Sequence, residues 1–182
     1  MAKKNPNITH DELCHILAGT YYTFLKAIIF ANPPAEAKDV YNDGIKCSDC
    51  KGHFLSNAYL TMYDKHYINA DWIYHTEDAK KILDSKNKKG LHFEHIVPKE
   101  RYIQDESWKL VKNGDPDAQS KIEDLLKKYW YIAVITTQEN KRLLDTKMPD
   151  GWDTKDIFAR YKQPKDGGAP IQLYDKDGKK CF

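Results

Sequence analysis

Several features common in other protein classes are missing from this sequence. It contains no apolar run of about 18 residues, and residues 1–7 lack the apolar core of a secretion signal. Only four cysteines occur in 182 residues, and without a secretion signal they do not indicate a disulfide framework. Internal repeats and low-complexity linkers are also absent. We therefore expect one cytoplasmic domain, residues 1–182, with no membrane partner.

The charge balance excludes a strong whole-molecule field, because the formal net charge is only +2. The hydrophobic share of 41% is sufficient for a folded core. Local signals predict an N-terminal helix over 9–31, an internal helix over 116–128 and a C-terminal hairpin over 170–182. The expected fold class is α+β, with helices around a small sheet.

The most informative segment is 91–98, LHFEHIVP, in which an acidic residue precedes a histidine and a proline ends the apolar stretch. Histidine accepts a proton near neutral pH, so His95 suits a general base. A hard cation such as Mg²⁺ prefers oxygen ligands and keeps several waters. Glu94 and, further along the chain, Asn140 offer a carboxylate and an amide oxygen. Together the three residues suit metal-assisted phosphodiester hydrolysis.

This pattern resembles the HNH, or ββα-metal, nuclease family, including its small type II restriction endonucleases. The resemblance covers residues 89–148 and implies a hairpin followed by a helix, with Glu94 and Asn140 holding the metal and His95 activating water. One departure concerns the middle asparagine of the family motif. Trp130 or Tyr131 stands where that asparagine is expected, so its supporting role is either unfilled or filled from elsewhere.

The predicted second strand spans 129–136, and Thr136 with Glu139 forms a capping box at the start of the following helix. That helix should carry Asn140 in its first turn and continue to a stop at 148–151. Side chains alternate along a strand, so Glu94 and His95 share one substrate only if the first strand ends or bulges there.

A zinc knuckle is expected at 47–53, because Cys47 and Cys50 form a CxxCxG pattern. Tetrahedral zinc needs two further ligands, for which Cys181 and then His53 or Cys14 are candidates. The alternative interpretation is that the cysteines are ordinary reduced thiols.

Basic residues flank the motif on both sides. Lys99 and Arg101 follow the first strand, and Lys141 and Arg142 follow Asn140. They are candidates for DNA phosphate contacts, since such contacts come mostly from Lys and Arg. The alternative is that they are solvated surface charges.

The sequence thus predicts a Mg²⁺-dependent endonuclease acting on double-stranded DNA, of the restriction type. A palindromic target would favour a homodimer. Two other functions stay open: a nonspecific nuclease toxin or RNA-directed nuclease with the same motif, and a zinc-stapled nucleic-acid-binding module without catalysis.

Overall fold

The computed structural model describes residues 8–30, 54–55, 70–85 and 89–182. These residues form a mixed α+β fold, in which a small three-stranded sheet lies among helices. The α+β class predicted from the sequence is confirmed at this level.

Helix α1 spans His10–Phe30 and agrees closely with the predicted helix over 9–31. The predicted capping box is present: Thr9 Oγ1 accepts the backbone N–H of Glu12, and the Glu12 carboxylate accepts the N–H of Thr9. By length and composition alone, α1 is also long and apolar enough to cross a membrane. In the structure one side of it, including Leu13 and Leu17, is buried in the protein core.

The sheet contains β1 (Ile73–His75), β2 (Leu91–His95) and β3 (Ile132–Thr136), in the spatial order β1-β3-β2. Strand β3 is parallel to β1 and antiparallel to β2. Its sequence, IAVIT, is rich in β-branched residues and its first four positions are buried, as expected for a central strand. The second strand was predicted over 129–136, so the prediction begins three residues too early. Strand β1 was not predicted.

Five further helices lie between and after the strands, and the predicted bounds of two of them need correction. They are α2 (Glu77–Asp84), α3 (Asp105–Lys112), α4 (Ala118–Tyr129), α5 (Thr137–Arg142) and α6 (Ala159–Lys162). A π-helical segment, Glu100–Gln104, leads into α3, and neither of the two was predicted.

Helix α4 begins at Ala118, whereas the sequence predicted a start at 116. The Asp115 carboxylate accepts the backbone N–H of Asp117, and the Asp115 carbonyl accepts the N–H of Ala118. Residues 115–117 therefore form a turn in place of a first helical turn.

Helix α5 ends at Arg142, well before the predicted stop at 148–151. Leu143 has extended backbone angles (φ −81°, ψ 152°), and its N–H is bonded to the Asn140 carbonyl. The Leu143 side chain is buried, so tertiary packing ends the helix before any breaker in the sequence is reached.

The two faces of the sheet are covered by different groups of side chains. On one face, Ile132 and Val134 join the main core, which α1 and α4 also line. On the other face lies a smaller second core of Ile96, Ala133, Ile135, Leu143, Tyr161, Ile171 and Leu173. The alternation along β3 decides to which core each residue belongs.

The predicted C-terminal hairpin is confirmed in its turn. Tyr174 bridges Lys180, and the backbone N–H groups of Asp175 and Gly178 bond within the 175–179 turn. Tyr174 also exchanges two backbone hydrogen bonds with His75, so the tail adds to the sheet beside β1.

Candidate active site

Strands β2 and β3, which the π-helical segment, α3 and α4 separate in sequence, form an antiparallel pair, and the short helix α5 follows β3. Helix α5 begins directly after β3, with Thr136 and Glu139 forming the predicted capping box. The start of α5 is also fastened to the other strand, because the Gly90 carbonyl accepts hydrogen bonds from the N–H and hydroxyl of Thr137. The hairpin and the helix are thus held together by backbone bonds at one end of the sheet.

Glu94 lies near the end of β2 and faces the second core. Its cross-strand partner is Ala133, which belongs to that core. The side chain of Glu94 is 28% exposed, and its Oε1 accepts a hydrogen bond of 2.7 Å from Arg160. Among the described residues no hydrogen bond is made to its Oε2. One carboxylate oxygen is therefore fixed and the other is open to a ligand.

Asn140 lies in α5, which follows β3 directly and packs against both β2 and β3. Asn140 is half-buried, and its side-chain amide makes no hydrogen bond to the part of the chain that the structure describes. The amide of Asn140 and the second oxygen of Glu94 are thus two donors without a hydrogen-bond partner among the described residues.

His95 is the last residue of β2 and faces the main core. Its partner Ile132 belongs to that core, and its ring centroid lies 4.6 Å from that of Trp130. The residue is half-buried, yet its Nδ1 is fully buried without a hydrogen-bond partner in the described residues. Glu94 and His95 therefore point to opposite faces, as strand alternation requires, and the strand ends at His95.

Burial lowers the pKa of His95 well below its usual value. The positive charges of Lys99 and Arg160 lower the pKa further. Both causes disfavour the imidazolium form, so the ring is neutral at pH 7 and keeps a lone pair for a proton.

Trp130 stands at the position where the family resemblance expects the middle asparagine. It is fully buried, and its Nε1 has no hydrogen-bond partner among the described residues. An indole cannot accept a hydrogen bond, so Trp130 supports His95 by ring packing instead.

Arg160, which the sequence analysis missed, is completely buried at this site. Its Nη2 donates to Glu94 Oε1 and to the backbone carbonyl of His95, and its Nη1 donates to the carbonyl of Leu144 at 2.7 Å. Its Nε has no partner in the described residues. Nothing in the local sequence around Arg160 distinguishes it from the surface basic residues.

Next to it, Tyr161 is also fully buried, with a hydroxyl that has no hydrogen-bond partner among the described residues. Burial raises the pKa of this hydroxyl above its usual value, so it stays a neutral phenol. Tyr161 and Arg160 thus place two buried polar atoms without hydrogen-bond partners beside the apolar side chains of the second core.

The predicted phosphate contacts differ in their surroundings. Arg101 and Lys141 are exposed, whereas Lys99 is half-buried and its pKa is lowered by burial against the opposing effect of Glu94. Arg142 donates to Asp166 Oδ2 at 2.6 Å and to the Ala169 carbonyl at 2.6 Å, so it ties α5 to the loop before the tail.

The predicted zinc knuckle lies outside the described residues, since Cys47, Cys50 and His53 belong to the segment 31–53. Cys181 packs against the second core, and Cys14 is buried in the main core, where burial raises its pKa to about 12. Within residues 8–30, 54–55, 70–85 and 89–182, no three His, Cys, Asp or Glu side chains converge as metal ligands.

The donors at this site fit a hard divalent ion. Mg²⁺ is often bound through only one or two carboxylate or carbonyl oxygens and keeps its other waters, and Glu94 and Asn140 offer such a pair.

Comparisons with known proteins gave no match for this chain, whether against protein-family models, curated proteins or solved structures.

Proposed function

We propose that the chain is a Mg²⁺-dependent endonuclease that hydrolyses phosphodiester bonds of double-stranded DNA, of the restriction type. The observation that carries the proposal is the strand-strand-helix arrangement, in which Glu94 and His95 end β2 and Asn140 lies in the helix that follows β3 and contacts both strands. These residue types and this order of elements agree with the HNH resemblance of residues 89–148.

In the proposed reaction His95 takes the proton of the attacking water. Its neutral ring supplies a free lone pair. Because β2 ends at His95, we place the reacting phosphate beyond the strand end. An approaching phosphate also adds negative charge beside the ring, which favours protonation during the reaction.

Glu94 and Asn140 would hold the divalent ion through Oε2 and the amide oxygen. When bound, that ion stabilises the negative charge that develops on the phosphate and the leaving oxygen. The exposed cations Arg101 and Lys141 would contact neighbouring phosphates and set the position of the duplex on the protein.

Cleavage of supercoiled plasmid and phage DNA in Mg²⁺, with EDTA as a control, tests the proposal. His95→Ala should lower cleavage by about 10²–10⁴-fold, the usual contribution of general base catalysis. The matched control is His92→Ala, because His92 lies on the same strand but is exposed. It should leave cleavage unchanged.

The cleavage products also separate the alternative functions. Discrete bands that need Mg²⁺ and His95 support the restriction-type enzyme, and a smear supports a nonspecific nuclease toxin. Intact DNA in every sample, with cleavage of RNA instead, supports an RNA-directed nuclease. Retention of DNA by both His95→Ala and the wild type without any product supports the binding module.

We also propose a structural zinc ion bound by Cys47, Cys50, Cys181 and His53, since Cys14 lies in the main core, on the opposite face of the sheet from Cys181. Elemental analysis of the purified protein tests this, with about one zinc per chain expected from a four-ligand site. Absence of zinc would return the cysteines to ordinary thiols. If the DNA target is palindromic, we expect a two-fold homodimer, which light scattering at cleavage concentrations would detect.

A further inference from the structure

We propose that Arg160 is a positioning residue for the metal site, holding the Glu94 carboxylate so that its second oxygen faces the bound ion. The inference rests on the proposed function, which assigns Glu94 as a metal ligand. It extends the site beyond the hairpin and helix of residues 91–142 to α6, near the C-terminal end of the chain.

Arg160 links separate elements of the fold. Its Nη2 reaches Glu94 Oε1 and the His95 carbonyl at the end of β2, at 2.7 and 2.5 Å. Its Nη1 reaches the carbonyl of Leu144, two residues after α5 ends. A single planar guanidinium therefore joins the strand that bears Glu94 to the segment after the helix that bears Asn140.

The burial of the Arg160 charge also carries a desolvation cost. Arg160 is fully buried, and its Nε lacks a partner among the described residues. A buried charged pair recovers its desolvation cost only with excellent geometry and further hydrogen bonds, and an apolar replacement is often no less stable. Arg160 is therefore a poor choice for stability alone, whereas a fixed carboxylate needs such a partner.

The contact between Arg160 and Glu94 leaves one oxygen of the carboxylate open. Arg160 engages only Oε1 of Glu94, and no described residue bonds Oε2. Metal-ligating carboxylates are themselves commonly hydrogen-bonded, and loss of such a supporting partner typically weakens metal binding or activity by about 10–100-fold.

The test measures binding of Mn²⁺ alone to the full chain, by electron paramagnetic resonance titration without DNA. We expect Arg160→Lys to raise the Kd for Mn²⁺ by about 10–100-fold, because an ammonium group cannot bridge three acceptors in one plane. The matched control is Arg142→Lys, an arginine that also pairs with a carboxylate and a backbone carbonyl but does not contact Glu94. It should leave the Kd unchanged.

The outcomes separate this inference from the proposed function. Wild-type Mn²⁺ binding that is lost in Glu94→Gln but unchanged in folded Arg160→Lys would overturn the inference alone. Equal Mn²⁺ binding by the wild type and Glu94→Gln, or none by either, would overturn both. Circular dichroism of each variant identifies any loss of folding.

A second measurement uses the wild type, in case Arg160→Lys does not fold. The side-chain Nε–H resonance of Arg160 should shift on addition of Mg²⁺ and saturate together with Glu94-dependent binding. The Arg142 resonance should not move. An unmoved Arg160 resonance at saturating Mg²⁺ would overturn the inference.

Discussion

The hydroxyl of Thr76 donates a hydrogen bond of 2.9 Å to the carboxylate of Glu139, far along the chain. Thr76 is the N-cap of α2, and Glu139 closes the capping box of α5. The same carboxylate oxygen also accepts the N–H and hydroxyl of Thr136, at 2.7 and 2.8 Å. One side chain therefore satisfies donors at the starts of two helices, next to the candidate site.

Glu139→Ala should destabilise the protein by about 2 kcal/mol, because it removes the capping box and leaves both threonine hydroxyls without their acceptor. Urea denaturation at pH 7 measures the loss. Gln138→Ala is the matched control, since Gln138 is exposed on the same helix. Equal stabilities of the two variants would contradict a role of Glu139 in both caps.

Asn140→Ala should raise the Mg²⁺ concentration for half-maximal cleavage by at least about tenfold. Loss of a direct metal ligand should weaken Mg²⁺ binding at least as much as loss of a group that supports a ligand. Gln138→Ala again serves as the control, and a Mg²⁺ titration of plasmid cleavage is the measurement. An unchanged Mg²⁺ requirement in Asn140→Ala would remove Asn140 from the metal site.

Lys141 and Arg142 are neighbours in sequence but should differ in DNA binding. Lys141 is exposed, whereas Arg142 is held by Asp166 and the Ala169 carbonyl. Each phosphate contact contributes about −0.9 to the slope of log K against log salt. We expect Lys141→Ala to reduce that slope by about one contact and Arg142→Ala to leave it unchanged, in binding measured with Ca²⁺ in place of Mg²⁺. The reverse order would show that Arg142 leaves Asp166 to bind DNA.

Stability should fall as the pH drops below the usual pKa of histidine, partly because of His10. Burial lowers the pKa of His10, and its hydrogen bond to the Trp130 carbonyl and the charges of Asp11 and Asp71 oppose this only in part. The unfolded chain then binds more protons than the folded one just below pH 6.5, so stability rises with pH in that range.

Urea denaturation at pH 5 and pH 7.5 checks this expectation. His10→Gln keeps a hydrogen-bond donor but cannot titrate, so the stability difference between the two pH values should shrink. His92→Gln, at an exposed residue of β2, is the control and should keep the wild-type difference. A difference that His10→Gln leaves unchanged would assign the effect to other groups.

Two glycine-to-alanine changes should have opposite signs. Gly19 lies within α1, and an added Cβ would meet its nearest neighbour, Gln119, at 3.6 Å, so Gly19→Ala should stabilise by about 0.5–1 kcal/mol. Gly90 has φ +85° in the turn before β2, and Gly90→Ala should cost about 1–2 kcal/mol. Urea denaturation measures both, and a stabilising Gly90→Ala would show that this turn is not strained by a side chain.

The parts of the fold that sequence analysis predicted depend on short-range interactions. The two capping boxes, at Thr9 with Glu12 and at Thr136 with Glu139, each act within four residues, so the pattern is visible in the chain itself. The same holds for the turn at 175–179. The end of α5 was predicted wrongly, because burial of Leu143 acts through distant residues of the second core.

The site residues also divide into those with a short-range sequence pattern, which were predicted, and those that depend on distant contacts, which were not. Glu94, His95 and Asn140 were found because their residue types and order form a pattern. Arg160 was not found, because its importance depends on contacts with residues far away in sequence, and a single arginine carries no such signal. Strand β1 was missed for a related reason: its three residues acquire regular structure by pairing with β3.

The spatial order β1-β3-β2 also governs when the sheet can assemble during synthesis. The central strand is the last of the three to leave the ribosome, and the two outer strands have no bonds to each other. A nascent chain that ends before Ile132 therefore lacks the partner that both outer strands need. The hairpin forms only after β3 has been synthesised, and the second core and the Arg160 contacts form only after the segments that follow β3, so the two outer strands stay without their partner until then.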